Sequence, residues 1–223
     1  MASRLCSGGA RAGRYSAPMS HPLRLAQLPP VTLTQSFAFP LAAAMLALGL
    51  GVFAWWTVCP SIVAENQWIE WLQVGLLLAT FAVQACRGTL RSLGGLLRLG
   101  TALIALTFAI REVDIDRLGT APWWPHVKRV VRIGAAALWV LWVGRAAMHL
   151  PAIWSSIPAL TRVRWIRVTA GAGLFFALSY PFDKGLLPLR ADVSLLLEEL
   201  MELKGAAMLL AAALAHHREE PAA

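Results

Sequence analysis

Apolar residues in this chain run on in blocks of about twenty, bounded by arginine, proline or tryptophan, with little of the alternation that marks a water-facing surface. An α-helix needs roughly 17–25 predominantly apolar residues to cross the hydrocarbon core of a bilayer. The blocks therefore predict an all-α, polytopic membrane protein, a bundle of about six transmembrane helices at residues 37–59, 68–86, 94–113, 127–150, 163–182 and 189–216. The first is the clearest: nothing between Arg24 and Glu65 is charged, Ser36 can cap the helix start, and Pro40 falls in the first turn. In the third, only residues 99–110 are free of charge, so Arg98 and Arg111 must reach toward opposite surfaces. The fourth is expected to end at Pro151, with Arg132 and Arg145 near its two ends. Residues 1–30 read as a basic, unstructured tail, 31–217 as the transmembrane domain and 218–223 as a short cytoplasmic tail.

Composition agrees with the pattern. The 223 residues are 58% hydrophobic and 14% charged, whereas a soluble domain carries about 25% charged residues. The net charge of +8 does not point to nucleic acid, because the basic residues lie between apolar blocks and form no single patch. They orient the chain instead. With the N-terminus inside, twelve of the twenty Lys and Arg fall on the inner side, seven fall outside and Lys204 lies within a span, which is the positive-inside bias. Both termini are then cytoplasmic, in the cell inner (plasma) membrane. The Arg- and Ser-rich, acid-free start would be an organellar targeting peptide in the alternative reading. Cys6, Cys59 and Cys86 have no metal-type spacing and imply no disulfide framework.

The acids segregate more sharply than orientation requires. Ten of twelve fall on the outer side or in the outer half of a span, and Trp55, Trp56, Trp68, Trp71, Trp123 and Trp124 mark the same interface. Two groups stand out. In the loop Arg111-Glu112-Val113-Asp114-Ile115-Asp116-Arg117, alternation puts Glu112, Asp114 and Asp116 on one side of an extended strand. Such oxygens suit a hard divalent cation, although the loop lacks the glycine turn of an EF-hand. In the sixth block, Glu202 is four residues from Glu198 and three from Glu199, so it can meet either on a helix surface. Like carboxylates away from bulk water share protons, bind a cation or meet arginines from other helices. Glu70, one turn into the second block and near Gln73, is a neighbour at similar depth, and Ser194 lies one turn before Glu198. A solvated loop and an inter-helix packing network are the bland alternatives.

The blocks Glu65-Asn66-Gln67-Trp68-Ile69-Glu70-Trp71, Arg111-Glu112-Val113-Asp114-Ile115-Asp116 and Glu198-Glu199-Leu200-Met201-Glu202-Leu203 resemble a pattern found in bacterial multi-pass inner-membrane proteins that carry no assigned activity. The resemblance implies a membrane bundle and transfers no function. Alkaline-ceramidase-like membrane hydrolases, which use histidines around zinc, do not fit: His149, His216 and His217 lie at the inner side, away from the acids, and only His126 is outside.

The sequence thus predicts a membrane protein with Glu70, Glu112, Asp114, Asp116, Glu198, Glu199 and Glu202 converging near the outer surface, and Arg111 as their charge partner. It would bind a cation or protons for transport. A metal-dependent enzyme acting on a lipid or lipid-linked substrate, with a divalent cation as cofactor, is one alternative. An accessory or scaffold subunit, whose acids a protein partner covers, is another. The bilayer is the expected partner in every case. Topology is open to direct test in single-cysteine variants. Cys59 is expected to react with an impermeant thiol reagent added outside and Cys86 is not; labelling of both from one side would break the six-span arrangement.

Overall fold

The computed structural model describes residues 35–59, 68–113 and 121–219. These fold into seven helices: α1 (Gln35–Val58), α2 (Trp68–Ala85), α3 (Leu93–Glu112), α4 (Trp124–Met148), α5 (Leu150–Leu160), α6 (Arg164–Asp183) and α7 (Ala191–Glu219). Helices α1 to α4 are each long and apolar enough to cross a bilayer. Helices α6 and α7 are of comparable length, 20 and 29 residues, and α7 carries Asp192, Glu198, Glu199, Glu202 and Lys204 along its first half. The N-terminal tail, residues 60–67 and the loop bearing Asp114 and Asp116 lie outside the described residues.

The short helix α5 has no counterpart in the hydropathy pattern, which had the fourth helix end at Pro151. The chain instead breaks at His149 and turns helical again at Leu150, with Pro151 in the new first turn. That position tolerates proline because a first-turn N–H has no partner within the helix. Pro125 starts α4 in the same way.

Helix α7 lies at the centre. It packs along α6 and α2 and touches α1, while α3 packs on α2 and carries α4 on its outer side. Leu77 of α2, Ala105 and Ala109 of α3, Ala172 and Phe176 of α6, and Ala206 and Leu209 of α7 form one core cluster. A second joins Val52, Ile69, Leu196, Leu200 and Leu203, with Trp56 packed against it. The turn between α6 and α7 sets their register. Gly185, at φ +59°, follows the end of α6, and the N–H groups of Gly185 and Leu186 donate to the Phe182 and Pro181 carbonyls at 3.1 and 2.9 Å. This is the left-handed termination that glycine adopts without steric cost.

The distribution of polarity is inside-out. Gln73, Thr80, Gln84, Arg98, Ser179, Glu199 and Glu202 are buried, while Trp154 is 73% and Val140 71% exposed. No residue of α4 is buried. A water-soluble monomer rarely exposes so much contiguous apolar surface, so four long apolar helices and this inversion together are what a membrane protein shows.

Close approach of α6 and α7 depends on Gly205, where an added Cβ would stand 2.7 Å from Cε2 of Phe176. Gly173 on α6 has nothing within 4 Å of the same position. Gly205→Ala is expected to lower the unfolding temperature in detergent, by the equivalent of about 1–3 kcal/mol for an overpacked seam. Gly173→Ala should leave it unchanged or slightly raised.

Candidate functional site

The buried acids and their partners Gln73, Ser179 and Arg111 collect toward one end of the bundle, where α1, α3 and α6 finish and α2 and α7 begin. Glu199 and Glu202 sit about 12 and 16 Å along α7 from its first residue, at 1.5 Å per residue. Both are buried, at 5% and 3% exposure. The α6 and α2 seams hold them there.

Each has a different partner. Glu202 accepts a hydrogen bond from Ser179 Oγ of α6 at 3.0 Å and forms an ion pair with Arg111 of α3. Arg111 also binds Glu112 Oε1 through Nε at 2.9 Å and Nη2 at 2.6 Å. Beneath the guanidinium lies Phe108, 5.2 Å from centroid to Cζ, and Phe108 stacks on Phe176 at 4.0 Å. One arginine thus serves two carboxylates over an aromatic floor.

Glu199 accepts from the Gln73 side chain of α2. Gln73 Nε2 donates to Glu199 Oε2 at 2.8 Å and lies 3.2 Å from the Glu199 carbonyl oxygen. Gln73 is fully buried, at 0% exposure, and its Oε1 accepts no hydrogen bond. Glu199 is paired with no cation among the described residues. Lys204, five residues on, places its ammonium 6.0 Å from the centroid of the Phe175 ring and beside Gly49 of α1, away from the acids.

The remaining candidates divide. Glu70, half-buried in the first turn of α2, is close enough for its charge to act on both Glu112 and Glu199. Glu198 is half-buried on another side of α7, within range of Glu202, Asp183, Arg111 and Lys184. Asp114 and Asp116 lie outside the described residues. Ser194 does not join the acids; its hydroxyl donates to the Phe182 carbonyl at 3.1 Å and ties the start of α7 to the end of α6. His126 is exposed.

Among the described residues, no group of three or more His, Cys, Asp or Glu is close enough to hold a metal ion. Carboxylates at i and i+3, one turned to α2 and the other to α3 and α6, offer single oxygens in separate directions. That differs from the six to eight converging oxygens that Ca²⁺ takes. Buried carboxylates with few cationic partners can take up protons or accept positive charge.

Ser179 carried no signal in the sequence beyond its small polar side chain in an apolar stretch. Gln73 was visible as a neighbour of Glu70, but its role as partner of Glu199 needed the α2–α7 packing. No family model matches the chain, and neither the curated proteins nor the solved structures contain a match to it.

Removing the compensating cation should be costlier than removing both members of the pair. Arg111→Met is expected to destabilise the detergent-solubilised protein by about 3–5 kcal/mol, because it strands a buried charge. Adding Glu202→Gln to Arg111→Met should recover part of that loss in the same thermal-unfolding measurement.

Proposed function

We propose that the chain is a six-span integral membrane protein, with both termini cytoplasmic, that binds and releases protons at the Glu199–Glu202 pair as part of a transport cycle. The observation that carries this reading is the environment of Glu199. It is buried, its hydrogen-bond donor is a neutral amide, and the carbonyl oxygen of that amide is open.

Charge balance supports it. Glu112 and Glu202 share one guanidinium and Glu199 is paired with no cation among the described residues, which leaves an excess of negative charge in a region of low dielectric. Each uncompensated charge within a span costs at least about 2.5–3.5 kcal/mol on insertion scales. A proton or a monovalent cation removes that cost. Acidic side chains within spans mark ion and proton pathways for this reason.

The Gln73 amide suits a carboxyl group in both protonation states. As a carboxylate, Glu199 accepts from Nε2, the geometry observed. Once protonated, it can keep that bond and donate its own O–H to Oε1, closing a cyclic acid–amide pair. A residue that is well solvated by its neighbours with and without the proton can load and unload without rearranging the bundle. The segregation of acids to one end supports an entry on the non-cytoplasmic side, given the positive-inside orientation.

Proteoliposomes with an interior pH dye test the reading. The wild-type protein should carry a proton-coupled flux, and Glu199→Gln, which keeps size and hydrogen bonding but cannot titrate, should abolish it. Equal flux in the two would reject Glu199 as the carrier.

A further inference from the structure

On the side of α3 opposite the acidic interior, a gap lies between α3 and α4 near the same end of the bundle. A cleft of about 350 Å³ opens there, lined by Thr107 and Arg111 of α3 and by Arg132, Ala135 and Trp139 of α4. Its floor is fixed, because Trp139 Nε1 donates to Thr107 Oγ1 at 2.9 Å. A second hollow of about 330 Å³, lined by Lys128, Arg129, Arg132 and Ile133, adjoins it, and Arg132 belongs to both. Among the described residues, four cations line the pair of hollows and no carboxylate does.

Two of those cations have capacity to spare. The bonds from Arg111 to Glu112 and Glu202 engage Nε and Nη2, which among the described residues leaves Nη1 uncommitted on a side chain that is 49% exposed. Arg132 is exposed and has no carboxylate partner among the described residues. It lies eight residues, about 12 Å, along a helix of which nothing is buried. A guanidinium at that depth facing lipid needs a counter-charge, and the bilayer itself can supply one.

We propose that the α3–α4 cleft binds an anionic phospholipid, with its phosphate between Arg111 and Arg132 and its acyl chains along the apolar flank of α4. The Arg132 guanidinium can match phosphate oxygens in a fork geometry while Arg111 adds a single bond from Nη1, and basic pockets between membrane helices take anionic headgroups. Ala135 and Ala136 leave room beside the arginines, and Val130, Ile133 and Val140 offer the exposed apolar surface that chains would cover. The mainly apolar walls favour a lipid over free phosphate, which would bring no hydrophobic part to meet them. The site is separate from the proposed proton site, sharing only the outer side of Arg111.

The test uses the full-length protein purified in detergent, titrated with dioleoylphosphatidylglycerol or dioleoylphosphatidylcholine and read by native mass spectrometry. Phosphatidylglycerol should be retained in preference to phosphatidylcholine. Arg132→Gln should weaken that retention by about fivefold, the loss expected for one basic contact, without shifting the unfolding temperature. Arg190→Gln, which removes an exposed arginine paired with Asp192 outside the cleft, should leave retention unchanged. Equal retention of the two lipids, undiminished retention by Arg132→Gln, or an equal loss with Arg190→Gln would overturn the proposal. So would displacement of the lipid by millimolar inorganic phosphate, which would make the cleft a site for the free ion.

Discussion

The ion pair between Arg111 and Glu202 is the contact on which the arrangement of helices depends. It joins the end of α3 to the inside of α7, two helices with α2 packed against both. Two charges removed from water repay their desolvation only when their geometry and remaining hydrogen bonds are satisfied. The surroundings supply this. Ser179 donates to the same carboxylate, Glu112 takes further N–H groups of the guanidinium, and the Phe108–Phe176 stack shields one face. The small residues Ala105 and Ala109 of α3, Ala172 of α6 and Ala206 of α7 then bring the backbones close enough for these short polar links to form. Close approach through small side chains is how helices associate where no hydrophobic force separates protein from solvent.

Around that centre, polarity is arranged against the pattern of a soluble protein. Side chains that hydrogen-bond point inward, and the outer faces of α1 and α4 carry Leu, Val and Trp. Helix α4 holds to α3 and to the turn before it through polar contacts: Trp139 to Thr107, Trp142 Nε1 to the Leu96 carbonyl at 2.7 Å, and Arg145 Nε to the Leu90 carbonyl at 3.0 Å. Gly100 makes room for the indole of Trp142, since a Cβ there would fall 2.7 Å from Cζ2. Beyond the Trp139–Thr107 contact, toward the start of α4 and the end of α3, lies the basic cleft.

Much of this was legible in the sequence, and the reasons for the remainder are physical. Apolar runs reveal a helix by length alone, so α1 to α4 were readable. For α7 the same criterion is weak, because its acids lower the mean hydropathy of a helix that is nonetheless central. Spacing showed that Glu202 could meet either Glu198 or Glu199. Burial of Glu199 and partial exposure of Glu198 follow from which side of α7 faces α2, which a lone helix cannot specify. The partners Gln73 and Ser179 lie 126 and 23 residues away from the acids they bind. Such pairs depend on helix order, which no local pattern encodes. Arg111 was readable as the compensating cation because it is the arginine nearest the acids at that end. The helix after His149 was not, since proline signals both an end and a beginning.

The charges of α7 also bear on how the protein is made. A segment holding Asp192, Glu198, Glu199, Glu202 and Lys204 is a poor client for lateral release into lipid by itself. Every side chain found to satisfy Glu199 and Glu202 belongs to α2, α3 or α6, all of which precede α7 in the chain. In the proposed membrane reading, biosynthesis would deliver the costly helix to a reception already assembled, and the order of the chain would double as an order of insertion.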